Sequence, residues 1–138
     1  MKFNSQICTT KEQSERLLAL GLKKETADMC INPSRELVYS FSYSEALTLY
    51  DNYGLGKIME TDLLLPAWSL HRLLEMLSYQ VIYNDAKYEP VIAIDGMAYQ
   101  DVCNDDSIVG WSGDLYTDII DCIEWLISIE QFNIEYLK

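Results

Sequence analysis

Residues 79–103 read YQVIYNDAKYEPVIAIDGMAYQDVC. Residues 79–83 alternate Tyr and Val with Gln and Ile in the manner of a strand, and the polar residues 84–87 form a turn. The runs 88–94 and 97–103 then flank Asp95-Gly96, a dipeptide typical of type I′ hairpin turns because both of its residues tolerate a positive φ. The sequence therefore predicts a three-stranded antiparallel meander, with a further short strand at Ile108-Val109.

The segment after the meander has the pattern of an amphipathic helix. Ser112 is predicted to cap this helix, and Asp114 lies in its first turn, where a carboxylate complements the helix macrodipole. Its apolar face consists of Leu115, Ile119, Cys122, Ile123, Leu126 and Ile127. A helix with so wide an apolar face is expected to pack on the sheet.

The N-terminal part, residues 1–78, carries mainly helical signals. Thr9 or Thr10 is predicted to cap a first helix that ends near Gly21, and Thr26 to cap a further helical turn at residues 26–29. Ser69 is predicted to cap another helix, whose apolar stripe is Leu70, Leu73, Leu74 and Leu77. Between these helices we expect a strand at 36–43, a short helix from Ser44 to residue 50, and a loop at 54–65.

These elements predict an α+β fold, with N-terminal helices and a three-stranded antiparallel meander packed by a C-terminal helix. The 138 residues suffice for a single domain, with a helical part at about 1–78 and the meander and last helix at about 79–138. Apolar residues make up 49% of the chain, which excludes global disorder.

The N-terminus and the apolar runs have neither a secretory signal nor a stretch long enough to cross a bilayer. We therefore expect a cytoplasmic protein that does not contact membranes. Four cysteines occur, at positions 8, 30, 103 and 122, with no CxxC pair. Buried free thiols are the expected state of these cysteines, rather than two disulfides.

Negative charge is concentrated in the C-terminal half. The chain has 10 Lys and Arg against 22 Asp and Glu, a net charge of −12, which argues against direct nucleic-acid binding. Between Tyr88 and Leu137 there is no Lys or Arg, against eleven carboxylates. Such a segment forms either a solvated, solubilising face or an acidic surface that steers a basic partner.

No motif predicts catalytic residues. His71 is the only histidine, and nothing in the sequence places a nucleophile beside it. The segment 54–57 fails the phosphate-loop pattern, and 110–113 misses the nucleophile-elbow pattern by one residue, so both are predicted turns. We predict no cofactor and no metal.

Asp114, Asp118 and Asp121 recur at i, i+4 and i+7, with Glu124 three positions further along the same helix. This spacing is typical of a solvated helix face, and it also suits an electrostatic docking face or a site for Mg²⁺ or Ca²⁺. The candidate binding residues are the acidic and aromatic side chains of this half of the chain: Asp105, Asp106, Asp114, Asp118, Asp121, Glu124 and Trp111.

Three stretches carry a resemblance. The segment 7–29, with TTKEQSERLLALGL and TADM, the segment LPAWSL at 65–70, and DIIDCIEWLI at 118–127 resemble a group of small uncharacterised proteins from bacterial genomes and their prophages or mobile elements. No activity is known for that group, so the resemblance implies only a cytosolic accessory protein in such a setting.

Two classes of function follow as hypotheses. The first is a non-enzymatic acidic module that binds or regulates a basic protein, either as a nucleic-acid mimic or as an immunity-type inhibitor. The alternative is a small metal-dependent hydrolase that uses the Asp114, Asp118 and Asp121 face. A homo-oligomer held by exposed aromatic residues is also compatible with the sequence.

Overall fold

Two antiparallel sheets and several helices make up the computed structural model, which describes residues 6–34, 36–46, 48 and 64–138. The chain divides into two units, Met1–Arg72 with Lys138 (the first unit) and Leu73–Leu137 (the second unit). The fold is therefore mixed, with helices and sheets, as expected. No helix among the described residues is long and apolar enough to cross a membrane.

The first unit contains a sheet where mainly helices were predicted. Its strands are β1 (Met29–Asn32), β2 (Leu37–Tyr39) and β3 (Leu65–Ala67), in the order β2-β1-β3. The helical turn predicted at 26–29 is wrong. A short 3-10 helix at Lys24–Thr26 precedes β1 instead. β1 is the central strand and pairs on both sides, which buries Cys30 and Ile31. This tertiary pairing outweighs the local helix-capping pattern of the sequence.

Helix α1 (Lys11–Ala19) begins as predicted. Thr10 caps it, and the side chains of Thr10 and Gln13 form a reciprocal capping box with the backbone. Further along, β2 is shorter than the strand predicted at 36–43, and residues 43–46 are already helical, with the Glu45 N–H bonded to Ser42 Oγ rather than to Ser44. The loop and turn predicted within 54–63 lie outside the described residues.

Helix α2 (Leu70–Glu75) follows β3 and contains the division between the two units. The backbone N–H of Arg72 bonds to Ser69 Oγ over 3.2 Å, so Ser69 caps this helix as predicted. Within the predicted stripe, Leu73 and Leu77 are buried.

The second unit is built on a meander of four strands. They are β4 (Val81–Tyr83), β5 (Ala86–Ala93), β6 (Gly96–Asp101) and β7 (Ser107–Gly110), paired in chain order. Three strands and the possible fourth at Ile108-Val109 were expected, so the meander is confirmed with β7 as a full member.

The first hairpin turn lies within the turn predicted at 84–87, whereas the second uses different residues from those predicted. Asn84 and Asp85 both have positive φ, at 50° and 64°, between the paired Tyr83 and Ala86, which is the geometry of a type I′ turn. At the next hairpin Ala93 pairs with Gly96, so the turn residues are Ile94 and Asp95, neither of which has a positive φ. The type I′ turn predicted at Asp95-Gly96 is therefore wrong.

Helix α3 (Leu115–Ser128) packs on this sheet, as predicted. Its N-cap is Asp114 rather than Ser112, because the Asp114 carboxylate accepts the Thr117 N–H over 3.1 Å. The indole of Trp125 lies against three tyrosines of the sheet, Tyr83, Tyr88 and Tyr99, with ring centroids 5.3–5.8 Å apart. These tilted and edge-to-face contacts fix the helix on one face of the meander.

Candidate functional site: the acidic unit and Trp111

The net negative charge of the chain comes entirely from the second unit. Residues 73–137 contain thirteen carboxylates and one lysine, Lys87, which gives a net charge of −12, whereas the first unit has nine basic and nine acidic residues. Only Asp118 among these thirteen carboxylates is buried, and the other twelve are exposed or half-buried. The second unit therefore presents an anionic surface with almost no compensating cation of its own.

Asp118 does not belong to that surface. It is fully buried, and its two carboxylate oxygens accept the backbone N–H groups of Met97, over 3.1 Å, and Ser112, over 2.7 Å. These bonds join α3 to the start of β6 and to the loop after β7. Asp118 is thus a structural residue rather than a member of an exposed docking face.

The remaining predicted carboxylates of α3 are not brought together with Asp118. The carboxylate of Asp114 caps the helix through Thr117, Asp121 is half-buried, and Glu124 is exposed. No group of three or more His, Cys, Asp or Glu side chains in the described part of the chain is placed to hold a metal ion. The geometry therefore gives no support to the hypothesis of a metal-dependent hydrolase.

Helix α3 also carries a buried free cysteine, Cys122. Burial, together with the nearby carboxylates Asp118 and Asp121, raises the pKa of Cys122 to about 12. Cys8, Cys30 and Cys122 are buried free thiols, as predicted, while Cys103 is exposed. Buried thiols with raised pKa values are poor nucleophiles, so none of these three offers covalent chemistry.

Trp111 is held at the surface in a demanding conformation. Its φ of 59° lies in the left-handed region, which is an outlier for a bulky side chain. The indole Nε1–H donates to Ser107 Oγ over 2.8 Å, and the Trp111 backbone N–H donates to the carbonyl of Met97 over 3.0 Å. The side chain nevertheless remains 41% exposed. A strained aromatic residue fixed at the surface is a candidate for recognition.

Two glycines make room for this arrangement. A Cβ at Gly96 would lie 2.6 Å from Asp118 Oδ2 and 3.3 Å from the Trp111 ring, so only glycine fits beneath both groups. A Cβ at Gly110, where φ is 114°, would lie 2.1 Å from the carbonyl oxygen of Met97. The predicted turn at 110–113 is thus a loop whose conformation holds Trp111 in place.

The loop between β6 and β7 carries two further candidates. Asp105 and Asp106 are exposed, and the Asp101 N–H donates to the Asp106 carbonyl over 2.8 Å, which closes the loop. Ser107, which binds the Trp111 indole, follows Asp106 directly. Asp106 and Trp111 therefore lie at opposite ends of β7, linked through the bond between Ser107 and the indole, and Glu124 lies on the solvent side of α3.

The first unit has a separate feature that the sequence analysis missed. A groove of about 560 Å³ lies between the N-terminal segment before α1 and the β1–β2 hairpin, and its lining includes Ile7, Ile31, Leu37 and Val38. It is formed by segments far apart in the chain, so no local motif could have indicated it. His71 is exposed on α2 and does not line this groove.

Comparison of the chain with family models, with curated proteins and with solved structures found no match.

Proposed function

We propose that this protein is a non-enzymatic, acidic binding or regulatory module of the cytoplasm, whose second unit docks on a basic protein surface. The observation that carries this proposal is the division of charge. One compact unit has a net charge of −12 with twelve carboxylates at or near the surface, while the other unit is neutral overall.

The physical reason is that a surface of like charges lowers the stability of the unit and at the same time attracts cationic partners. Like charges on one small unit repel, and that repulsion destabilises the compact state, although salt screens exposed charges beyond about 8–10 Å. The same charges accelerate encounter with a cationic partner and reject anionic ones. In a module that binds a basic partner, electrostatic attraction to that partner offsets the stability lost to charge repulsion.

Two versions of this function suit a prophage or mobile-element setting, which the resemblance implies. In one, the acidic unit mimics a nucleic acid and occupies the nucleic-acid site of a host protein. In the other, it acts as an immunity-type inhibitor of a basic toxin. Both require a basic protein partner and no direct contact with nucleic acid or membrane.

The test compares two triple variants with equal changes in net charge. Asp85→Asn, Asp105→Asn and Asp106→Asn remove three exposed charges from the second unit, and asparagine tolerates the positive φ of Asp85 and Asp105. Glu12→Gln, Glu15→Gln and Glu25→Gln, all exposed, form the matched control in the first unit.

Partners captured from a bacterial extract are identified and purified, and their affinities for the three proteins are measured over a range of salt concentrations. We expect a basic partner whose affinity falls with salt, and falls about tenfold more in the second-unit variant than in the control. A partner bound equally at low and high salt, or weakened equally by both triple variants, contradicts the proposal.

A further inference from the structure

The two edges of the four-stranded sheet are blocked to strand addition. At β4, the side-chain amide of Gln131 bonds to both the N–H and the carbonyl of Ile82, as a neighbouring strand would. At β7, the register shifts between Tyr99 and Gln100, and the strand ends in the left-handed Gly110. Irregular or covered edges of this kind disfavour pairing with another chain. A partner of this unit is therefore expected to bind through side chains.

Exposed apolar side chains gather at one end of the same sheet. Ile94, at the tip of the β5–β6 hairpin, is 100% exposed, and Ile92 is half exposed. Gly96, the first residue after this turn, lies against the ring of Trp111. The hairpin tip and the indole therefore lie at the same end of the sheet. We call Ile92, Ile94, Asp95 and Trp111 the tip surface.

We propose that the tip surface is the docking point for a segment of the basic partner, in which an arginine or lysine stacks on the indole of Trp111 beside an apolar residue on Ile94. This inference rests on the proposed function and names the part of the acidic unit that recognises the partner. Asp95 directly precedes Gly96, which lies against the indole, and Asp106 directly precedes Ser107, which accepts the indole N–H, so the local charge favours a cation.

Charge also distinguishes the two partners that the tip surface could bind, a second copy of this chain and a basic segment. A second copy of this chain would bring another unit of net charge −12 to the same interface. A basic segment supplies the opposite charge together with a group that the negative face of an indole attracts. The partner of complementary charge is therefore the occupant that the surface fits.

The fixed position of the indole strengthens this recognition. Trp111 is held by its bond to Ser107, by its backbone bond to Met97 and by the ring contact over Gly96. A side chain that is already ordered loses little conformational entropy on binding. Tryptophan is also among the residues that contribute most to interfaces.

The test uses the full chain and a blocked peptide that alternates arginine with leucine, together with its counterpart in which citrulline replaces arginine. Citrulline keeps the planar shape and removes the charge. Binding to the wild type is followed through its three tryptophan indole N–H signals in NMR spectra, and the affinities of the wild type and of all variants are measured by isothermal titration calorimetry. Trp111→Phe retains an aromatic face, whereas Trp111→Leu retains only apolar volume. Both lose the bond to Ser107, so the difference between them isolates the aromatic face.

We expect the arginine peptide to shift the Trp111 indole signal and to bind about fivefold to tenfold more weakly to Trp111→Leu than to Trp111→Phe. Ile94→Ser, at a fully exposed position, is expected to weaken binding without changing the melting temperature. Circular dichroism of each variant verifies that the fold is retained.

The outcomes separate this inference from the function on which it rests. If the triple variant of Asp85, Asp105 and Asp106 weakens binding and Trp111→Leu binds like the wild type, the tip surface is not the docking point, although the acidic module stands. If arginine and citrulline peptides bind the wild type equally, both proposals fail. A dimer in light scattering that Ile94→Ser abolishes would assign the tip to a second copy and overturn the inference.

Discussion

Replacement of Asp118 tests the structural role that the sequence did not predict. Asp118→Ala removes the acceptor of two backbone N–H groups, one fully buried at Met97 and one partly buried at Ser112. A hydrogen bond to a charged group contributes about 1.5–3 kcal/mol, and the second bond is discounted for its exposure, so the loss is about 3–4 kcal/mol. Domains of this size are stabilised by only about 5–15 kcal/mol in total.

Asp118→Asn makes the comparison sharper. Its amide can accept one N–H through the carbonyl oxygen, but its NH₂ group then faces the other N–H as a second donor. We expect an intermediate loss of about 2 kcal/mol. The opposing effect is desolvation, since a buried carboxylate is costly and its neutralisation could stabilise the fold. The sign of the Asn effect shows which contribution is larger.

The assay is urea unfolding followed by far-UV circular dichroism and by tryptophan fluorescence. Glu124→Gln, on the exposed side of the same helix, is the control and should change the free energy of unfolding by less than about 0.5 kcal/mol. If Asp118→Ala is as stable as this control, or Asp118→Asn is more stable than the wild type, the two backbone bonds do not stabilise the loop as argued.

Four further predictions concern other parts of the structure. Gly110→Ala should lower the free energy of unfolding by at least about 3 kcal/mol, because its Cβ would meet main-chain atoms. A Cβ at Gly113 would have nothing within 4 Å, so Gly113→Ala should cost only the ~1–2 kcal/mol of a left-handed residue. Equal losses for the two variants in urea unfolding would contradict this. In the folded protein only Cys103 should react rapidly with a thiol reagent, as read by mass spectrometry. Because the pKa of Cys122 is raised from 9.0 to about 12 in the folded state, its stabilising contribution is complete below pH 9 and is lost as the pH rises towards 12; Cys122→Ala should flatten that alkaline decline. Gln131→Ala should lower stability by about 1 kcal/mol and increase concentration-dependent light scattering, since it uncovers the edge of β4.

The meander could be predicted from sequence, but its turn geometry could not. Residue types alternate along β4 to β6, and this pattern indicates strands directly because the side chains of a strand alternate between the two faces of the sheet. Asp95-Gly96 has the composition of a type I′ turn, yet Gly96 is required for space beneath Asp118 and Trp111 rather than for a positive φ. Only the packed structure distinguishes these two reasons for a glycine.

The first unit was harder to predict, because its sheet is assembled from distant segments. β1 and β3 are separated by more than thirty residues, so their pairing leaves no local pattern. Two of the three stretches for which a resemblance was proposed, 7–29 and 65–70, meet in one polar network. Trp68 donates its backbone N–H to Thr9 and its indole N–H to Thr26, and Ser69 donates to the carboxylate of Asp28. These residues therefore have a structural explanation that requires no shared activity.

The candidate site was predictable in composition and not in arrangement. The spacing of Asp114, Asp118 and Asp121 suggested one exposed helix face, but α3 is buried over a wider arc than its apolar residues alone indicate. Asp118 falls within that arc, where backbone N–H groups of the adjoining loop satisfy it. Trp111 was a candidate by residue type, while its bonds to Ser107 and its contact with Gly96 depend on tertiary structure.

Burial of Asp118 removes this carboxylate from the candidates for catalysis and for metal binding. A catalytic acid or metal ligand needs an oxygen that can reach a substrate or ion, and both oxygens of Asp118 are occupied by backbone amides. The carboxylates that remain on the surface are spread over turns, a loop and a helix, which suits contact with a broad cationic surface. The buried carboxylate of Asp118 holds the loop that carries Trp111, whereas the exposed carboxylates produce the negative electrostatic potential of the unit. Carboxylates therefore have two separate roles in this unit.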